Sequence, residues 1–93
     1  MNYWEQIKQI LSRKISPPSY LRWLARTWLK RAKGTVLSVA VPDEVTKEWM
    51  QHEFAGDIWS AIRELDFPFR QIVYEVSAAE EEGILNSTWQ QKK

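Results

Sequence analysis

The chain contains no cysteine, one histidine and only three glycines, and it has no apolar run approaching the roughly 18 residues that a membrane span needs. Each shortage excludes something. Without cysteine there is no disulfide framework and no thiolate metal site. With His52 as the lone histidine, any metal would have to be held mainly by carboxylates. Glu48, one helical turn earlier, reads more simply as a surface partner of His52. Serines are present, but none has an evident activating base other than His52. A G-x-x-x-x-G-K-[ST] phosphate loop is also missing, which excludes the usual nucleotide-binding motor. The chain is therefore expected not to be an enzyme and to carry no cofactor or metal. No basic, apolar and cleavage-site succession opens it, so the expectation is a cytoplasmic protein without membrane attachment.

What is present is aromatic mass: six tryptophans, three tyrosines and three phenylalanines in 93 residues. A chain of this size makes one domain that buries about 60 to 65% of its unfolded surface. Large aromatic side chains help so small a core to close. The net charge of +1 hides an uneven distribution, because seven bases and no acid lie between Arg13 and Lys33, whereas seven acids and two bases lie between Asp43 and Asp66. Such a division suits head-to-tail association or steering of a charged partner; two ordinary solvated faces are the equally weighted alternative.

Asn2 is placed to cap a helix over residues 3–14, where Trp4, Ile7, Ile10 and Leu11 recur at helical spacing. Pro17 and Pro18 break it, and a second helix over residues 18–25 is expected to bury Tyr20, Trp23 and Leu24. A hairpin follows, with strands over 27–31 and 35–41 and Gly34 in the turn. Leu37, Val39 and Val41 should face the core, while Ser38 and Ala40 face a lightly covered side. Pro42 then halts the strand, Asp43 caps a new helix, and Val45 falls in its first turn, off the apolar side that Trp49 and Met50 occupy. This helical region, residues 43–65, is expected to bend near Ala55 and Gly56 with Asp57 as a restarting cap. A last strand over 71–76 alternates, with Ile72, Tyr74 and Val76 on one side. Residues 77–93 read as an acidic and polar tail or linker with isolated Ile84, Leu85 and Trp89. Trp23, Trp49 and Trp59 are expected in the core, and Trp28 partly exposed.

The element order helix, helix, strand, strand, helix, strand, with YWEQIKQIL at the start, SPPSYLRWL in the second helix and VAVPDEVTKEWMQHEF across the strand-to-helix junction, resembles the amino-terminal domain of the bacterial replication initiator DnaA. The resemblance covers residues 3–76 and implies an α+β, KH-like fold with a three-stranded sheet packed against helices. It also implies an adaptor that associates with itself or with DnaA, contacts the replicative helicase and receives initiation regulators. On that resemblance Trp4, with Gln6 beside it, falls on the self-association face, although the helical stripe alone makes Trp4 a core residue. Val45 matches an exposed, usually aromatic position in helicase contact. Ser19 falls where well-studied members carry an acid on the partner surface, and Asp43 neighbours Val45. The missing phosphate loop and terminal helix-turn-helix lead to the expectation of an excised domain or a free-standing small protein of this type.

A competing reading takes Arg22, Arg26, Lys30, Arg31 and Lys33, with Trp28 as a stacking platform, as a weak single-stranded nucleic-acid-binding surface. The GXXG loop of nucleic-acid-binding KH domains is absent, so any such binding would be weak and salt-sensitive.

Overall fold

A computed structural model describes residues 2–77, which form an α+β domain with one three-stranded mixed sheet. Apart from Ser77, the tail expected over 77–93 lies outside the described residues. Helix α1 spans Tyr3–Lys14. The Asn2 side chain caps it by accepting from the Glu5 backbone N–H at 2.8 Å, which satisfies one of the donors a helix leaves unpaired at its start. Helix α2, Pro17–Arg22, opens on its two prolines as expected but is shorter than residues 18–25. At Trp23 the backbone leaves helical geometry, and a 3-10 turn over Leu24–Arg26 takes over. The Thr27 backbone N–H and hydroxyl both donate to the Leu24 carbonyl, at 3.1 and 2.7 Å. This closure drives Leu24 fully into the core.

Strands β1, Trp28–Lys33, and β2, Val36–Val41, form an antiparallel hairpin in which Lys33 faces Val36. Gly34 has φ +59° and is the only residue of this turn at positive φ, the glycine-first pattern of a tight two-residue hairpin loop. A β-bulge at Lys30 shifts the register between Leu29 and Arg31. Strand β3, Gln71–Val76, adds in parallel on the other side of β2, so the sheet order is β1-β2-β3.

Leu37, Val39 and Val41 of the central strand are fully buried, in register with Ile72, Tyr74 and Val76 of β3. The other side of β2 departs from its expected light covering, for Ser38 and Ala40 are buried as well. Ala40 lies between Trp28 and Glu75, and Ser38 between Arg31 and Val73. Glu75 also bridges Lys30 and Arg31, each at 3.6 Å.

The region after Pro42 is two helices, α3 over Glu44–Gln51 and α4 over Ala55–Glu64. The interruption comes earlier than the bend expected at Ala55 and Gly56. Gly56 and Asp57 lie inside the first turn of α4, and Asp57 is not its cap. Tertiary packing overrides local propensity, since Phe54 is drawn into the core while its N–H bonds the Trp49 carbonyl at 3.0 Å. At the far end of α4 the Phe67 N–H bonds the Ile62 carbonyl and the Asp66 N–H bonds the Arg63 carbonyl, both at 3.1 Å. Asp66 has φ +58°, so this is a Schellman closure with aspartate where glycine is the usual occupant.

Trp4, Ile7 and Leu11 from α1, Leu24, Met50 from α3, and Ile58, Ala61 and Ile62 from α4 join the Leu37–Val39–Val41 side of the sheet in one core. The helices thus form one layer on that side. Lys14 reaches Glu64 at 3.8 Å, so the basic and acidic segments of the chain meet there.

Candidate interaction surface

The junction between β2 and α3 is built around the Asp43 side chain. Its Oδ1 accepts from the Thr46 backbone N–H at 2.8 Å and from the Thr46 hydroxyl at 2.7 Å. These bonds, with a smaller contribution from the Arg26 charge, hold the Asp43 carboxyl below the usual carboxylate range. Thr46 is itself fully buried, which locks the first turn of α3 against the core. A helix turns about 100° per residue. With Thr46 and Met50 inward, Val45 is therefore turned out, and it is 57% exposed.

One turn further along the same stripe, Trp49 lies flat against Trp23, with ring centroids 4.6 Å apart and planes 15° from parallel. Trp23 is buried by this stack while Trp49 remains 36% exposed, so the expectation that Trp49 belongs to the core is corrected. It covers the core as a lid, one ring face inward and the rest of the indole toward water. The Arg22 guanidinium sits 5.0 Å from the centre of the Trp23 ring, within cation–π range. Arg22, Trp23, Arg26, Asp43 and Val45 together line a depression of ≈ 360 Å³. On α2, Leu21 is the most exposed large apolar side chain among the described residues, at 65%. Glu48, Trp49, His52 and Glu53 line a smaller hollow, where His52 Nε2 is 3.8 Å from Glu48.

The residues marked out by sequence fall in several places. Asp43 and Val45 meet Arg22 and Arg26 at the depression. Ser19 is half-buried on α2, where its carbonyl accepts from the Trp23 N–H, and it does not line the depression. Lys30, Arg31 and Lys33 belong to β1; Arg31 and Lys33 share a sheet side with Trp28, and Lys30 occupies the bulge. The five candidate bases are thus split between two locations.

Trp4 requires a correction. Its side chain is fully buried, its ring packs edge-on against Tyr74, and its Nε1–H donates to the Thr27 hydroxyl at 2.8 Å. A self-association face on which the Trp4 ring makes direct contact is therefore not available; the apolar stripe of α1 has drawn the residue inward. Gln6 on the same helix remains half-exposed.

Sequence reasoning missed the participation of Trp23, Trp49 and Leu21. The spacing of Val45 and Trp49, four residues apart, was a usable signal for the shared stripe. The stack between Trp23 and Trp49 was not, since it joins two elements.

Among the described residues no group of three or more histidine, aspartate or glutamate side chains is placed to hold a metal ion, and no helix is long and apolar enough to cross a membrane. The fold and the depression define a small α+β domain with an aromatic-floored, basic-edged surface. The chain belongs to the DnaA N-terminal domain family, whose model matches residues 1–64 and so includes every residue of the depression. That membership ties it to the initiation of DNA replication.

Proposed function

We propose that this domain is a non-enzymatic adaptor of replication initiation, and that the depression between α2 and α3 receives the replicative helicase or an initiation regulator. The observation that carries the reading is Val45, held outward on a locked helix start beside a tryptophan stack. An apolar residue on a rigid turn loses little freedom on binding and desolvates readily. Flat aromatic surface with a neighbouring arginine is what binding hot spots are made of. Valine offers less area than an aromatic anchor would, so each single contact is weak. Several copies brought together at an origin would raise the effective concentration without new contacts. Self-association of the domain would use the surface of α1 around Gln6, with Trp4 beneath it as support.

Titration of the isotopically labelled chain with the amino-terminal domain of a replicative helicase tests this. Amide shifts clustered over residues 43–49 and α2, lost in Val45→Glu, are the expected result. An unperturbed spectrum would overturn the helicase contact.

A second reading rests on Trp28, half-buried on the sheet side that also bears Arg31 and Lys33, a combination suited to weak stacking and phosphate contact with a single strand. Charge reversal at Arg31 and Lys33 would abolish such binding and leave an apolar contact at Val45 intact. Binding indifferent to salt would contradict it.

A further inference from the structure

Given the reading of the depression as a docking surface, on which this rests, we infer that the partner segment it receives is acidic and amphipathic. That segment presents carboxylates to Arg22 and Arg26 and an apolar side chain to Val45, three of the residues that line the depression.

The basic residues of the first half of the chain differ in how their charge is met. Lys14 reaches Glu64 at 3.8 Å, and Lys30 and Arg31 share Glu75 at 3.6 Å each. Arg22 and Arg26 are exposed, and among the described residues neither has a carboxylate within 4 Å. No acid lies between Arg13 and Lys33, so the α2 side of the depression carries positive charge alone. The one acid that lines the depression, Asp43, is committed elsewhere: its Oδ1 takes both Thr46 donors, and the Arg26 charge acts on it less strongly than those bonds. Arg22 is held 5.0 Å from the centre of the Trp23 ring. Stacking engages the face of a guanidinium and leaves its N–H donors for a carboxylate, and an arginine already restrained in this way loses less freedom when it pairs.

The apolar half of the match is Val45, with Leu21 and Trp49 as the other large apolar side chains left exposed on α2 and α3. Removing them from water favours an occupant that is apolar as well as charged. A nucleic-acid strand fits less well, because it brings a charge at every nucleotide, whereas Asp43 and the exposed Glu44 stand on the α3 side and would repel the charges that fall there. The same two acids set the polarity of the occupant. Its carboxylates lie toward α2, and the residues toward α3 are neutral or basic.

Selection of short random peptides displayed on phage against the full immobilised chain, at low ionic strength, tests this without any partner protein. Enriched sequences should combine aspartate or glutamate with leucine, phenylalanine or tryptophan. A synthetic copy of the commonest should shift amide signals over residues 21–26 and 43–49 of the labelled chain. Arg22→Glu with Arg26→Glu should weaken its Kd by about tenfold or more. Both arginines are exposed, so the double variant should keep a dispersed amide spectrum, and it should bind a copy of the peptide whose acids are changed to lysine. Enrichment of sequences without acids, or no enrichment over a blank surface, would overturn the inference. So would shifts confined to residues 28–35, or an unchanged Kd in the double variant. Displacement of the peptide by an equal concentration of a thymidine oligonucleotide would overturn it too, since the arginines would then take any polyanion. Loss of the acidic preference would leave the helicase titration to be decided separately. An unperturbed helicase titration beside a bound acidic peptide would keep the site and change its partner.

Discussion

Replacing Thr27 by valine tests the buried polar knot at Thr27 that fastens α1 to the start of β1. The Thr27 hydroxyl accepts the Trp4 indole N–H at 2.8 Å and donates to the Leu24 carbonyl at 2.7 Å, both out of contact with water. Valine keeps the shape and removes the acceptor. The Leu24 carbonyl retains the Thr27 backbone N–H, at 3.1 Å, and the bond from Lys8 Nζ to the Thr27 carbonyl, at 2.9 Å, is untouched. The cost therefore falls on one stranded indole donor, about 1–3 kcal/mol. For a domain of this size each kcal/mol moves Tm by roughly 4–8 °C. Thr27→Val should thus lower Tm by about 4 to 24 °C in a far-UV circular dichroism melt, with the urea midpoint falling at unchanged slope. Thr27→Ser, which keeps the hydroxyl and loses a methyl group, should lose only about 1 kcal/mol. If valine proved as stable as threonine, or serine worse than valine, the indole bond would not be contributing as argued. The comparison also guards against misreading Trp4→Ala, whose cavity would cost about 3–5 kcal/mol. Loss of association in that variant would report unfolding.

Asp66→Gly should stabilise the domain by about 1 kcal/mol, because it relieves a left-handed aspartate at the Schellman closure of α4; an unchanged denaturation midpoint would show that the aspartate is not strained there. At Asp43 the lowered carboxyl pKa means that its contribution is fully present above the ordinary carboxylate range and is lost as the pH falls through its own, lower value. Stability measured from pH 6 down to pH 2 should therefore fall less for Asp43→Ala than for the natural chain. The alanine variant should begin about 1 kcal/mol lower at neutral pH from the lost cap, and parallel pH profiles would contradict the assignment.

The elements that sequence reasoning placed well are those whose causes are local. Asn2 and the spacing of Trp4, Ile7 and Leu11 define α1, Gly34 defines the hairpin turn, and Pro42 with Asp43 defines the start of α3 and the exposure of Val45. What escaped it depends on partners distant in the chain. The hydroxyl that accepts the buried Trp4 indole N–H lies 23 positions away, and the lid role of Trp49 needs Trp23 from another element. The break between α3 and α4 follows the burial of Phe54, although Gly56 has the weaker helix propensity. Asp66 gives no sign in sequence of its left-handed backbone, since the residue type that normally marks such a position is glycine. The depression was accordingly half legible: Asp43 and Val45 could be named from their neighbours, and its aromatic floor could not.

The position of β3 bears on how the domain comes apart. Its pairs with β2 join residues 35 apart in the chain, as from Val36 to Gln71, whereas the pairs of the hairpin close over short loops. Contacts of long sequence separation form late, because the chain entropy of closing them is lost before the contact is gained. Among the described residues the same strand is an edge, paired on one side only, and it is the last element. Opening that began there would free Ser77 from Val41 and slacken the end of β2 that leads to Asp43, so amide protons of β3 should exchange ahead of those of α1 and the hairpin. A load applied beyond Ser77 would act first on this strand, and through it on the anchor of the helix that presents Val45.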